Sequence, residues 1–254
     1  MLMLGLADRM AGSAIWVSPV LPELAADNAK VSRIANNQPN FEAVVNRTPD
    51  FIAVQFLTSI GPKGRVGTRQ QFADLGVPVY VSPTDCAVAD NSRSDGSRKQ
   101  MLTMDQLYQE VDELSRIFDV VDRGQALIAQ LKTREEAVNR RIAGKAKDVS
   151  LVYWFSSTDV AGDAWVAGRN GASGYITKVL GAKNVIESEQ EWPLVGWEAI
   201  ASSDPSVIVI GTMDRRTQGA DDPLVKKNFS RRTRSSANWM RSRKAGSSRW
   251  TRRP

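Results

Sequence analysis

"FEAVVNRTPDFIAVQF" (Phe41–Phe56) and "WEAIASSDPSVIVIG" (Trp197–Gly211) follow one plan, 156 positions apart. Each opens with an aromatic residue, Glu and Ala, then an aliphatic position, a proline stop and an apolar run. Phe41, Val44 and Val45 recur at helical spacing, and Pro49 stops that helix. "FIAVQF" then reads as a buried strand by its length and content. The later copy reads as helix, stop and strand in the same way. A unit of this kind written twice predicts two like halves.

Working outward, "MLMLGLADRMAG" predicts a helix ending near Gly5, and "DRMAGSAIWV" a turn and a strand. "TRQQFADLGVPVYVS" is helix, Gly, then strand. Strands and helices thus alternate, the pattern of a parallel sheet covered by helices. "CAVADNSRSDGSRKQ" is Gly/Ser-rich and polar, and reads as an exposed loop. Thr103 and Gln106 fit a capping box. Leu107, Val111, Leu114 and Phe118 make one apolar stripe. After a break near Asp119–Asp122, Leu127, Leu131, Val138 and Ile142 make another, and Gly144 ends it. The second part is about 30 Å long, enough to bridge two lobes. "VSLVYWF" restarts the strands, and "GASGYITKVLGAKNV" is a helix closed by Gly181.

The expected fold class is therefore α/β: two Rossmann-like lobes with central, mainly parallel sheets, joined by one long α-helix. The first lobe takes residues 1–102 and the connecting helical region 103–145. An incomplete second lobe takes 146–227, and a disordered basic tail 228–254.

Composition excludes several chemistries. The 254 residues hold no histidine and one cysteine, Cys86. That removes His-based zinc sites, Ser-His-Asp triads, internal disulfides and cysteine metal clusters, so no metal site and no cofactor are expected. Apolar runs such as Val149–Phe155 are far short of a membrane span. No basic-then-apolar leader opens the chain, so no secretion signal is visible. The net charge is +6, yet residues 226–254 carry eleven Lys/Arg and no Asp/Glu. The remaining chain has 23 basic and 28 acidic residues, net −5, which argues against nucleic acid as a partner of the body. "GRNGASG" (Gly168–Gly174) precedes a helix but is not G-x-G-x-x-G, and it begins thirteen positions after Phe155. Asp159 and Asp163 have no evident base or nucleophile beside them. A doubly wound reductase or transferase would need a Gly-rich turn directly after the first strand of a lobe, and none is present. No enzyme is expected.

"LGLADRMAG", "FEAVVNRTPDFIAV", "FADLGVPVYV", the central helix, "GYITKVLGAKNVIE" and "WEAIASSDPSVIVIG" occur in an order that resembles the substrate-binding proteins of bacterial ABC importers for iron chelates, haem and cobalamin. The resemblance covers about residues 1–225. It implies a monomer that captures a small-molecule chelate and delivers it to a permease dimer in the inner membrane. In that family a surface glutamate on each lobe docks against permease arginines; the matching positions are Glu42 and Glu198, where the alternative is a Glu that merely favours a helix N-terminus. A ferric siderophore is the first choice of ligand. Haem is less favoured, since without His its axial ligand would be Tyr or Met.

Strand-end loops would line the cleft between the lobes. That placement nominates Trp16, Phe56, Thr58, Arg65, Thr84, Asp85, Trp154, Trp165, Arg169, Tyr175 and Trp192. Aromatics with an occasional Arg suit a bulky, often anionic chelate; the alternative for Trp154 and Tyr175 is core. Trp165 and Arg169 stand out because "STDVAGDAWVAGRNG" is long and polar for a mere connection.

The chain departs from the family at both ends. It starts inside the "LGLADR" helix, without the family's first strand or a signal peptide. The family is periplasmic; as encoded, this chain reads as cytoplasmic. After "DDPLVKK" the family continues through helix, strand and helix, whereas "NFSRRTRSSANWMRSRKAGSSRWTRRP" has no apolar period. Codons for Trp239–Lys244, shifted by two bases, spell Asp-Ala-Val-Lys, a phrase typical of the family here. A frameshift near Asn228 is the reading that follows, with poor stability and weak transport as its expected cost. The rival reading is a basic arm for nucleic acid or anionic lipid.

Overall fold

The computed structural model describes residues 1–14, 19–86, 98, 100–142, 144–212 and 217–236. It is an α/β fold of two lobes carried on one long helix. The opening helix expected from the sequence is instead a pair of 3-10 turns, Leu2–Leu4 and Ala7–Arg9. Gly5 separates them at φ 67, a left-handed conformation open to glycine without steric cost.

β1 (Ser13–Ala14) is followed by α1 (Ala25–Lys30) and β2 (Arg33–Ala35), and the two strands pair in parallel. Then come α2 (Phe41–Val45), β3 (Ile52–Val54), α3 (Arg69–Asp74) and β4 (Val79–Val81). β3 and β4 pair in parallel, with Ile52 opposite Val79 and Val54 opposite Val81. Local chemistry sets these boundaries. The Asn40 side chain accepts from the Ala43 N–H at 2.8 Å and starts α2, while Thr68 and Gln71 form a reciprocal box that starts α3. Phe41 tilts onto Phe72 at 5.0 Å. Val44, Ile52, Ile60, Val66, Phe72 and Val81 make the first core.

The helical region consists of α4 (Pro83–Cys86), α5 (Met104–Ile117) and α6 (Val121–Ile142). The break expected near Asp119 is a reversal, with Asp119 at φ 55. The Gln106 side chain accepts from the Thr103 N–H at 3.2 Å at the start of α5. α5 therefore folds back on α6 and belongs with the first lobe; α6 alone is the connecting rod, about 33 Å long for its 22 residues. The two helices approach closely at Gly124, where a Cβ would meet the Ser115 Cβ at 2.4 Å. Leu4, Leu6, Leu114 and Leu127 fill the space between them and the lobe, beside an edge-to-face pair of Phe51 and Phe118.

The second lobe contains β5 (Ser150–Ser156), β6 (Ala164–Val166), α7 (Ala172–Leu180), β7 (Lys183–Asn184), β8 (Leu194–Val195), α8 (Trp197–Ser202), β9 (Val207–Ile210) and α9 (Pro223–Ser236). β9 pairs in parallel along one edge of β5. On the other edge, β7 pairs in parallel at the start of β5 and β6 antiparallel at its end; β8 adds antiparallel to β6. Val152, Trp154, Ala164, Val166, Ile186, Ile200 and Ala220 form the core. Residues 228–236, at the start of the basic tail, continue α9. Phe229 packs against Trp154 at 5.9 Å and Trp197 at 5.1 Å, so this part of the tail closes the core. Residues 237–254 lie outside the described residues.

Candidate ligand cleft and docking faces

The turn after β3 and the segment before β8 meet between the lobes. Phe56, half-buried, faces Trp192 edge-on at 6.4 Å. Beside them Arg98 and Glu191 make an ion pair at 3.2 Å, with side chains only 4% and 14% exposed. The Arg98 guanidinium also donates to the Thr84 carbonyl, and its backbone N–H donates to the Glu189 carbonyl at 3.1 Å. The Asn170 amide donates to the Arg98 carbonyl. Arg98 thus binds the end of the first sheet to the 188–191 segment of the second lobe. Burial raises the Glu191 carboxyl above its ordinary value, and the neighbouring Arg98 opposes the rise.

The nominated residues divide by position. Phe56, Thr58 and Trp192 sit where the lobes approach, with Trp192 exposed and Thr58 half-buried in the 3-10 turn Leu57–Ser59. Arg65 is exposed in the following loop. Trp165 is half-buried on β6, opposite Ser156 and Leu194. Arg169 is exposed and paired with Glu189 at 2.5 Å. Trp16 lies outside the described residues.

Four nominated residues are held by partners within the protein. Trp154 is fully buried, stacked edge-on against Trp197 at 4.7 Å, and its indole N–H donates to Ser157 Oγ at 2.9 Å; it is a core residue. Thr84 and Asp85 are buried as well. Asp85 accepts from the Leu57 N–H at 2.6 Å and Thr84 shares a 2.7 Å bond with Ser82, so both hold the turn that presents Phe56. Tyr175 turns towards the rod, where its hydroxyl donates to Glu135.

Sequence reasoning missed Arg98, Glu191 and Glu135. Arg98 falls in the stretch taken for an exposed loop, yet it is 3% exposed. Its partner is 93 positions away, and no local pattern announces such a pair.

Glu42 and Glu198 stand in the first turns of α2 and α8, both exposed. The aromatic residue before each one anchors its helix: Phe41 on Phe72, and Trp197 on Trp154. Two positions after each glutamate, Val44 and Ile200 are buried. Each unit therefore pins its helix to a core and holds one carboxylate outward.

Among the described residues no cluster of three or more Cys, Asp or Glu is placed to hold a metal ion, and no helix is long and apolar enough to cross a membrane.

The chain resembles solved structures at low identity. A periplasmic binding protein from Veillonella parvula is 18% identical, with a TM-score of 0.72 over 95% of this chain and 75% of that one. The ABC-type Fe3+-hydroxamate transport system protein of Saccharomonospora viridis is 22% identical, with a TM-score of 0.64 over 89% and 72%. The periplasmic vitamin B12 binding protein of Vibrio cholerae is 15% identical, with a TM-score of 0.59 over 90% and 88%. No curated protein matches the chain. The periplasmic binding protein family model matches residues 1–234, nearly the whole chain and both repeated units. With that match and the two-lobed architecture, the chain belongs to the periplasmic binding protein family.

Proposed function

We propose that the chain is the substrate-binding component of an ABC importer, working as a periplasmic monomer. It captures a metal chelate, with a ferric siderophore as first choice, and delivers it to a permease dimer without chemistry on the ligand. The observation that carries this reading is the equivalent, exposed placement of Glu42 and Glu198 in the two repeated units. A two-lobed cap on a two-fold permease needs one contact per lobe, and carboxylates facing Arg forks make charge-assisted bonds that fix register. Phe56, Thr58, Arg65, Trp165, Arg169 and Trp192 are the proposed ligand contacts. Support for the siderophore comes from the absence of His and from the hydroxamate-transport protein among the structural relatives. The B12-binding relative makes cobalamin a competing ligand, and haem is the other chelate class to be tested.

Tryptophan fluorescence titration tests the ligand class. The probes are a ferric hydroxamate siderophore, its iron-free form, haem and cobalamin. Saturable quenching by the ferric form, at least tenfold tighter than by the other three, is the expected result. Preference for haem or cobalamin overturns the ligand choice, and no response to any of the four overturns the reading.

A further inference from the structure

Glu135 lies on α6, and its carboxylate is shared by two phenols. Oε2 accepts from the Tyr108 hydroxyl at 2.6 Å, and Oε1 accepts from the Tyr175 hydroxyl. Tyr108 comes from α5, which packs with the first lobe, and Tyr175 from α7 in the second. One side chain of the rod is therefore bonded to both lobes at once. Lys132, one turn earlier on the same helix, places its ammonium 5.3 Å from the Tyr108 ring centre. Tyr108 is buried and Tyr175 half-buried. Burial, and then the bond to Glu135, raise both phenols above their ordinary range, Tyr175 to about 12. Both remain donors at any neutral pH. Hydrogen bonds from a hydroxyl to a carboxylate are short and roughly twice as strong as neutral ones.

A stiff helix alone does not decide how a lobe is set upon it. That setting needs directional contacts from the helix to each side, and Glu135 supplies one to each. We infer that Glu135 is the positioning residue that fixes the angle between the two lobes. It acts through Tyr108 and Tyr175 and touches no ligand. The consequence for transport rests on the proposed docking role: the rod holds Glu42 and Glu198 at a set separation. The lobe geometry itself can be measured without ligand or permease, so failure here is distinguishable from failure of the transport reading.

The experiment places nitroxide labels at two exposed alanines, Ala73→Cys on α3 and Ala199→Cys on α8, in a Cys86→Ser background of the full chain. Pulsed electron–electron resonance then reads the distance distribution between the lobes. Glu135→Ala and the double variant Tyr108→Phe/Tyr175→Phe are expected to broaden it at least twofold. Glu135→Gln keeps one acceptor oxygen, holds one phenol and falls between. Glu113→Gln is the control: it weakens the bond from Tyr80, 2.7 Å long and internal to the first lobe, and should leave the width unchanged. A distribution as narrow in the Tyr double variant as in the parent overturns the inference. So does equal broadening in the Glu113→Gln control. If Glu135→Ala does not fold, the Tyr double variant decides, since it removes only two hydroxyls.

Discussion

Thr48 and Asp204, 156 positions apart, both precede a proline and both adopt the left-handed backbone region, with φ 46 and 43. Each ends its short helix through the same bond: the Thr48 N–H donates to Val45 O at 2.8 Å and the Asp204 N–H to Ala201 O at 3.1 Å. The repeated sequence thus repeats an uncommon conformation, not only a pattern of polarity. A β-branched residue is strained there by about 1–2 kcal/mol, whereas Asn visits the region routinely. Thr48→Asn should stabilise the protein by about 0.5–1 kcal/mol in denaturant unfolding. A loss of stability contradicts the strain.

The Arg98–Glu191 pair ties the lobes with both side chains nearly withdrawn from water. Removing one member of a buried pair leaves the other charge uncompensated, at a cost of about 3–5 kcal/mol. Arg98→Ala should lose an amount in this range by chemical denaturation. A loss below about 1 kcal/mol would show that the pair is solvated.

Glu191 also sets a pH dependence. Its carboxyl is raised above 4.5 by burial, with Arg98 opposing and Asp85 adding to the rise. The native state therefore holds this proton more tightly than the unfolded chain. The stabilisation is fully present below the ordinary value and lost as pH rises through the native one. The Tm of the parent minus that of Glu191→Gln should decrease as pH rises above the ordinary carboxylate value of about 4.3. A difference that grows with pH contradicts the assignment.

The tryptophans separate core from cleft. Trp154 is fully buried, while Trp192 is 37% exposed beside Phe56. Trp192→Phe should remove most of the ligand-induced quenching. Trp154→Phe should leave that quenching in place while costing about 1–3 kcal/mol of stability, through lost packing and a vacated hydrogen bond. Quenching that disappears with Trp154 and survives without Trp192 would move the ligand site.

What the sequence revealed was what short-range physics encodes. The Thr103–Gln106 box, the stop at Gly181 and the two α/β units are written within a few residues each. The reversal at Asp119 was visible as a break, but its direction was not, because that depends on Gly124 meeting Ser115 across two helices. Cleft and core aromatics look alike in sequence: Trp154 and Trp192 differ only in what surrounds them. Asp85, Arg98 and Glu135 act through partners 28, 93 and 40 positions away, where no spacing rule reaches. Phe229 closes the second core from within a stretch whose basic residues masked its role.

The most direct test joins the two lobes to the membrane partner. It measures ligand-stimulated ATP hydrolysis by the reconstituted permease with the parent chain, Glu42→Ala, Glu198→Ala and the double variant, at saturating chelate. Each single variant should lower stimulation at least fivefold and the double variant abolish it, while chelate affinity in solution stays unchanged. Full stimulation by the double variant would contradict docking through these two carboxylates.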